Sequence, residues 1–267
     1  MADVSVENRK PVSFRGGGFD PVTRQWVAWL AFAAALVAWQ AASDARLVDP
    51  LFLPSPMQIA YALQELAASG DLARHFGASL VRIGAGWLIG ASAGVCVGGL
   101  IGLFWVWRSA GLPFISALFP IPKIALLPLL ILWFGIGEAS KVATIALGTF
   151  FPMAISTYAG VDNVPRNLIR MAQSFNVPFW RIILNVVIPG MLPSVLAGCR
   201  ISASIALILV VAAEMIGANV GIGALVLTTG NLMQTDKLMA GIVAISVLGL
   251  TIGAAITWLE RTLLSWR

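Results

Sequence analysis

The feature that most constrains this chain is a series of long apolar runs separated by short polar segments. The runs lie at residues 26–42, 80–105, 113–134, 142–158, 192–216 and 238–259. Runs of this length are typical of helices that cross a bilayer, because hydrocarbon offers the backbone no hydrogen bonds and a helix satisfies its own. Charged residues make up only 11% of the chain, whereas soluble domains carry about 25%. The sequence therefore predicts an all-α membrane protein with six transmembrane helices.

The chain before the first run is polar. Residues 1–25 are predicted to form a cytoplasmic tail, and residues 26–267 a transmembrane domain. The run at 26–42 resembles the apolar part of a secretory signal peptide. The polar region before it is too long for that, and further apolar runs follow, so a retained first transmembrane helix is favoured.

Basic residues are distributed unevenly between the two sides that six crossings define. Cytoplasmic loops of membrane proteins carry an excess of Lys and Arg. With both termini cytoplasmic, the basic residues on that side are Arg9, Lys10, Arg15, Arg24, Arg108, Arg166, Arg170, Arg181, Arg261 and Arg267. Those on the other side are Arg46, Arg74, Lys141 and Lys237. The bias predicts cytoplasmic N and C termini and places the segment 162–190 in the cytoplasm.

The segment 162–190, between the fourth and fifth runs, is amphipathic and basic. Its first part is predicted to be a helix that Asp162 or Asn163 caps, with Pro165 in the first turn. Apolar residues recur in it at helical spacing, at Leu168, Ile169, Ala172 and Phe175. Asn176 is predicted to end this helix in the left-handed conformation, which Asn tolerates better than most residues.

A second amphipathic piece begins at Pro178 and is predicted to end at Pro189 and Pro193. Two interpretations of the whole segment stay open: a helix lying on the lipid surface, or a docking element whose apolar side chains enter a cleft on a soluble partner. Under the second interpretation, the expected anchors are Phe175, Phe179 and Trp180.

Two packing features are also predicted. Ser55 is placed to cap a short helix that starts at Pro56. Within the second run, Gly86, Gly90, Gly94, Gly98 and Gly102 recur every fourth residue, so that one helix face allows another backbone to approach closely. Packing within the subunit is favoured for this face over a seam between two copies.

Three charged residues lie in or near the apolar runs: Lys123, Arg200 and Glu214. A charge in hydrocarbon is costly, so each is expected to face protein, water or a partner. Lys123 and Arg200 either extend to the membrane surface or line the cytoplasmic end of an anion path, with Ser202 as a candidate hydroxyl beside them. Glu214 is expected to pair with a basic residue or to cap the turn at Gly217, and it is the fourth candidate residue of a translocation path.

The sequence contains no combination of nucleophile, base and acid that would predict a catalytic site. The chain has one histidine, His75, and two cysteines, Cys96 and Cys199, so that neither a histidine metal site nor a disulfide framework is predicted. It has no G-x-x-x-x-G-K-[ST] loop, so that ATP hydrolysis would have to occur on another polypeptide. No cofactor, metal or nucleic-acid partner is therefore predicted for this chain.

The segment resembles the cytoplasmic coupling loop of ABC importer permeases, whose pattern is E-A-A, three residues, Gly, nine residues and I-x-L-P. The chain has Arg170-Met171-Ala172, then Asn176, then Val186-Val187-Ile188-Pro189 at the same spacing. Arg170 replaces the family's glutamate and Asn176 its glycine. Further stretches are similar to the nitrate/sulfonate/taurine permease family: LPSP at 53–56, PIPKIA at 120–125, PLLILWFG at 128–135 and EMIG at 214–217.

This resemblance implies a type I importer permease of the bacterial inner membrane, which pairs with a second copy of itself. It also implies two cytoplasmic ATPase subunits that bind ATP and Mg²⁺, and a periplasmic or lipid-anchored substrate-binding protein. The implied coupling residues are Arg170, Ala172, Phe175, Asn176, Phe179, Trp180 and Pro189. The implied substrate is a small anion such as nitrate, a sulfonate or taurine, with bicarbonate, aromatic carboxylates and vitamin-precursor heterocycles as alternatives. A secondary transporter is the rival class, although the sequence shows no convincing inverted repeat.

Overall fold

Helices form all the regular structure over residues 25–264, which are the residues that the computed structural model describes. They are α1 (Gln25–Asp44), α2 (Pro56–Ala68), α3 (Asp71–Leu103), α4 (Trp105–Leu118), α5 (Leu127–Phe134), α6 (Glu138–Asp162), α7 (Arg166–Ser174), α8 (Phe179–Ile182), α9 (Ile188–Gly217), α10 (Ile222–Asn231) and α11 (Thr235–Leu263). The predicted cytoplasmic tail lies outside the described residues, except for Gln25, which already belongs to α1.

Five of these elements are long and apolar enough to cross a membrane, and a sixth crossing results if a bent pair counts as one span. The five are α1, α3, α6, the continuous run Phe179–Gly217 and α11. The prediction of an all-α protein with six spans is confirmed, and α3 starts nine residues before its predicted position. We call the end of the bundle that carries α7 and α8 the loop end, and the end that carries α10 the opposite end.

The third predicted span is broken and is not one continuous helix. It is divided into α4 and the segment Lys123–Phe134, which are bent by 87° at the break. Pro120 and Pro122 lie in the break, and proline removes a backbone donor and clashes with the preceding turn. The Lys123 ammonium nitrogen donates to the carbonyl oxygens of Leu118, Phe119 and Ile121 at 2.8, 2.9 and 2.7 Å. These bonds satisfy carbonyl groups that the break leaves without helical partners.

The glycine face of α3 packs against α6 within the same chain, as predicted. A Cβ atom added to Gly94 would lie 2.6 Å from the carbonyl oxygen of Phe150, and one added to Gly86 would lie 2.6 Å from the Cβ atom of Ile145. Gly90 and Gly98 meet backbone carbonyl groups of α6 in the same way. Only glycine permits this approach, so α3 and α6 form a tightly fixed pair.

The core lies where α3, α6, α9, α10 and α11 meet. It contains Ile83, Ile145, Ala206, Leu209, Val210, Ile222, Ala244 and Leu248. The short helix α2 packs beside it through Ile59, Ala62 and Leu66, and begins with the predicted cap: the Ser55 hydroxyl accepts from the Gln58 amide at 3.1 Å, and the Gln58 side chain accepts from the Ser55 amide at 2.8 Å. By contrast, no residue in the apolar stretch of α1 is buried.

The fifth span runs through both prolines that were expected to end the preceding piece. The single turn α8 continues into a π-helical turn, Ile183–Val187, and then into α9, which carries Pro189 in its first turn and Pro193 inside it. The amide of Ile188 donates across the wide turn to the carbonyl oxygen of Ile183. The helix therefore continues where the sequence suggested a stop. Both the π turn and the prolines depart from the usual hydrogen bonds between residues i and i−4 of an α-helix.

Candidate functional site

The segment between α6 and α9 begins differently from its prediction. Asp162 is the last residue of α6, Asn163 follows as its C-cap, and Pro165 is the residue before α7. The expected cap by Asp162 or Asn163 is therefore wrong. Proline disfavours a helical conformation in the residue before it, so the helix break falls at Val164. The side chain of Asp162 instead accepts two hydrogen bonds from Arg108 at 2.6 Å each.

The end of α7 confirms the prediction for Asn176. This residue has φ of 53°, in the left-handed region. The amide of Asn176 donates to the carbonyl oxygen of Gln173 at 2.9 Å, and the amide of Val177 donates to that of Ala172 at 3.1 Å. These two bonds form the Schellman arrangement that ends many helices. Asn176 thus supplies the turn for which the coupling pattern uses glycine.

The apolar residues of α7 divide between two faces. Ala172 is buried and Ile169 is half-buried against the bundle. Leu168, Met171 and Phe175 are 40%, 54% and 76% exposed, and their spacing of three and four residues places them on one helix face. We call these three residues the bare face. Phe175 was expected there, whereas Met171 was overlooked because it stands among polar residues.

The two aromatic residues of α8 differ in their surroundings. The ring of Phe179 packs against that of Phe104 with centroids 6.2 Å apart, so this side chain partly anchors the segment to its own bundle. Trp180 contacts Phe179 edge-on and is 67% exposed. A groove of about 320 Å³ remains between this part of the segment and the ends of α3, α4 and α6.

The segment is strongly basic. Arg166, Arg170 and Arg181 are exposed, and no acidic residue occurs in the sequence between Asp162 and Glu214. Within residues 25–264, Arg170 forms no ion pair. Pro189 is also exposed, in the first turn of α9. The implied coupling residues other than Ala172 and Pro189 thus lie on or beside one exposed, apolar and basic surface.

The four candidate path residues are not brought together within one chain. Lys123 caps the break between α4 and α5, as described above. Arg200 is exposed and forms an ion pair with Glu260, with Nη2 and Oε2 2.5 Å apart. Ser202 is buried and accepts a hydrogen bond from Trp87 at 2.8 Å. Their role in a shared path stays a prediction. The hydroxyls of Thr144 and Thr149 in α6 donate to carbonyl groups of their own helix, a common arrangement in membrane helices.

Glu214 is the centre of a buried polar network at the opposite end. Its side chain is fully buried and accepts hydrogen bonds from Arg82 at 2.7 Å, from Ser79 at 2.8 Å and from the Gly223 amide at 2.9 Å. The expected pairing with a basic residue is confirmed, and the capped amide belongs to α10 rather than to the turn at Gly217. Arg82 also contacts Glu138 at the start of α6 through two bonds of 2.5 and 2.6 Å.

Sequence reasoning overlooked Arg82 and Ser79. A detectable signal existed, because Arg82 lies inside an apolar run, and an ionisable residue there normally has a partner. The network also includes His75, whose Nδ1 atom lies 2.7 Å from the carbonyl oxygen of Gly221. The residues that the structure describes contain no cluster of metal-binding side chains.

The fold and these surfaces define a class: a multi-span membrane permease that presents a basic, amphipathic segment between two of its core helices. Residues 88–265 match the family described as "Binding-protein-dependent transport system inner membrane component". The chain belongs to this family and is the permease component of an ABC importer.

Individual relatives of this chain are also transport permeases. SsuC of Bacillus subtilis strain 168, named as an aliphatic sulfonates transport permease protein, is 35% identical over 91% of this chain and 88% of its own length. The taurine transport system permease protein TauC of Escherichia coli K12 is 36% identical over 88% of this chain and 87% of its own. The inward-facing MetNI methionine ABC transporter contains a chain with the same fold, with a TM-score of 0.62 and 20% identity over 72% of this chain and 95% of that one. The type I importer fold implied by the sequence is confirmed.

Proposed function

We propose that this chain forms the membrane pathway of an ATP-driven importer for a small organic sulfonate such as taurine or an alkanesulfonate. Two copies assemble with two cytoplasmic ATPase subunits, and a substrate-binding protein delivers the anion from outside. The names of two relatives at 35% and 36% identity support the substrate class. The uneven distribution of basic residues supports an orientation with both termini and the loop end in the cytoplasm.

The observation that carries this proposal is the bare face together with Trp180. Four large apolar side chains stand exposed beside three exposed arginines, at the end of the bundle for which the charge bias supports a cytoplasmic location. Such a surface suits a cleft with an apolar floor and acidic walls on a soluble partner. We assign that partner as the ATPase, because this chain contains no phosphate-binding loop of its own.

The position of the segment gives it a mechanical role. It connects α6 directly to α9, and α6 packs on both α3 and α9. When ATP binding draws the ATPases together, the docked segments move with them, and the helices on either side of each segment are displaced. The pathway then opens to the binding protein, and hydrolysis restores the inward-facing state.

The test is reconstitution of the permease with its ATPase and binding protein in proteoliposomes. ATP hydrolysis and uptake are measured with taurine, alkanesulfonates, nitrate, bicarbonate and aromatic carboxylates. We expect stimulation only by a binding protein loaded with a sulfonate, and loss of uptake when the ATPase carries a hydrolysis-blocking substitution. Uptake that persists with a disabled ATPase would instead support a secondary transporter.

A further inference from the structure

A cavity of about 520 Å³ lies at the opposite end of the bundle, between the start of α6 and the turn that joins α9 to α10. Its wall includes Arg82, Glu138, Lys141, Gly217 and Val220, and Arg82 Nη1 donates to the carbonyl oxygen of Val220 at 2.6 Å. We propose that this cavity is an anion site that receives the acid group of the substrate, with Glu138 occupying the position of that group when no substrate is bound. The inference rests on the proposed function, because it assumes an anionic substrate that arrives at this end.

Two buried cations form the recognition elements. Arg82 and Lys141 are only 5% and 4% exposed, so both are held in a poorly solvated place where an anion is attracted more strongly than at the surface. The Lys141 ammonium donates one hydrogen bond, to the carbonyl oxygen of Gly137 at 2.9 Å. Its separation from Glu138 Oε1 is 3.8 Å, an ion pair but too long for a hydrogen bond. Within the described part of the chain, Lys141 therefore retains donors for a further acceptor.

Glu138 shows where an acid group fits. Its Oε2 and Oε1 atoms accept from Nε and Nη2 of Arg82 at 2.5 and 2.6 Å, which is the two-bond arrangement that guanidinium forms with carboxylates and other oxyanions. Because Oε1 also lies 3.8 Å from Lys141, an anionic oxygen at this position is attracted by both Arg82 and Lys141. A sulfonate can place two oxygens on Arg82 and direct its third towards Lys141.

The two carboxylates that contact Arg82 differ in how firmly they are held. The side chain of Glu214 is fully buried, and Ser79 and the Gly223 amide hold it in addition to Arg82. The side chain of Glu138 is 64% exposed, so it can leave Arg82 for water at little solvation cost. Glu138 is therefore the exchangeable partner, and Glu214 is the fixed one.

Charge balance favours a singly charged ligand. Without substrate, the site contains two cations, Arg82 and Lys141, and two carboxylates, Glu138 and Glu214. When Glu138 turns outward and a sulfonate enters, the site again holds two positive and two negative charges. A doubly charged anion would leave an excess negative charge in a poorly solvated site, which is unfavourable. The site accordingly selects sulfonates over sulfate.

The test is equilibrium binding of radiolabelled ethanesulfonate to the permease–ATPase complex in lipid nanodiscs, without nucleotide or binding protein. Glu138→Ala removes the internal competitor, so we expect Kd to fall about tenfold if Glu138 occupies Arg82 about nine-tenths of the time. Lys141→Met, introduced into the Glu138→Ala protein, should raise Kd at least tenfold. Lys237→Met is the matched control, since Lys237 lies at the same end but pairs with Glu65, away from the cavity, and it should leave Kd unchanged.

Glu138→Gln provides a second variant if the alanine substitution lowers thermal stability; it keeps the shape and should shift Kd in the same direction. A Kd that neither Glu138 variant lowers, in complexes that remain folded, overturns the site. The proposed function is judged separately, by uptake with the loaded binding protein in wild type. Wild-type sulfonate uptake with no change in binding among the variants rejects the site alone, whereas a wild-type complex that couples to no sulfonate rejects the function.

Discussion

Arg108 and Asp162 face each other at the loop end, with both guanidinium Nη atoms 2.6 Å from the two carboxylate oxygens. The pair joins the first turn of α4 to the last residue of α6, immediately before the basic segment begins. Both side chains are more than one-third exposed, so the pair adds little to global stability. Its effect is local, because it fixes the point from which the segment leaves the bundle.

Asp162→Asn removes one charge from this pair and keeps its shape. We expect little loss of thermal stability, because solvent-exposed ion pairs contribute little. Uptake per ATP hydrolysed should fall more clearly, since the segment is less firmly oriented. Both are measured in proteoliposomes. Coupling identical to wild type would show that the Arg108–Asp162 pair does not orient the segment.

Trp180→Asp introduces a charge into the proposed docking surface, where an apolar cleft would have to desolvate it. We expect the ATPase no longer to copurify with the permease, while the permease itself remains folded. Trp180→Phe is the control and should retain the complex. If the segment lies on lipid instead, copurification with Trp180→Asp will be normal.

Arg170→Glu restores the family's glutamate but reverses the local charge. A docking cleft suited to Arg166, Arg170 and Arg181 should be acidic, so we expect weaker ATPase binding with a faster dissociation rate. The difference from wild type should shrink in high salt, because screening removes it. Surface plasmon resonance at two salt concentrations checks this. Tighter ATPase binding by Arg170→Glu than by wild type would instead indicate a basic residue in the cleft that pairs with the glutamate.

Gly94→Leu places a branched side chain in the close contact between α3 and α6. An added Cβ atom already lies 2.6 Å from the Phe150 carbonyl oxygen, so the two helices must separate. We expect low expression and a melting temperature lowered by many degrees. Gly99→Leu is the matched control, because a Cβ atom at Gly99 meets nothing within 4 Å. Equal stability of both variants would contradict close packing at Gly94.

Arg82→Met leaves the buried carboxylate of Glu214 without its cation. Removing one partner of a buried pair typically costs about 3–5 kcal/mol, so we expect a strongly reduced melting temperature. The double substitution Arg82→Met, Glu214→Met should recover part of this loss, because no uncompensated charge remains. Melting temperatures of the four proteins in the cycle give the coupling energy. A double variant no more stable than Arg82→Met would argue that Ser79 and Gly223 are the main supports.

Local rules predicted much of the fold. The capping box at Ser55, the glycine face of α3 and the left-handed Asn176 each depend on residues close together in sequence or on one helix face, and all three are confirmed. Proline was harder to interpret. Pro120 and Pro122 accompany a break of 87°, whereas Pro189 and Pro193 lie in a continuous helix. A π turn precedes Pro189 in the continuous helix, whereas at the break the Lys123 side chain donates to three carbonyl groups.

The polar network could be predicted only in part. Burial of Glu214 implied a basic partner, but Arg82 lies 132 positions away in the chain. Nothing in local sequence states which helices bring such residues together. The division of the apolar residues of α7 between the bundle and the bare face has the same cause, because helical spacing groups residues by face without saying which face the bundle covers.

The continuity of α9 has a consequence for timing. The run Phe179–Gly217 comprises 39 residues without a loop, and the distance along α9 from Ile188 to Glu214 is about 40 Å at 1.5 Å per residue. A helix transmits displacement along its axis without waiting for a loop to reorganise. The proposed docking at Trp180 and the proposed anion exchange beside Glu214 would therefore occur on one continuous helical run that contains the π turn Ile183–Val187. That turn is where the two ends can differ in tilt, so its stiffness sets how nearly simultaneous the two events are.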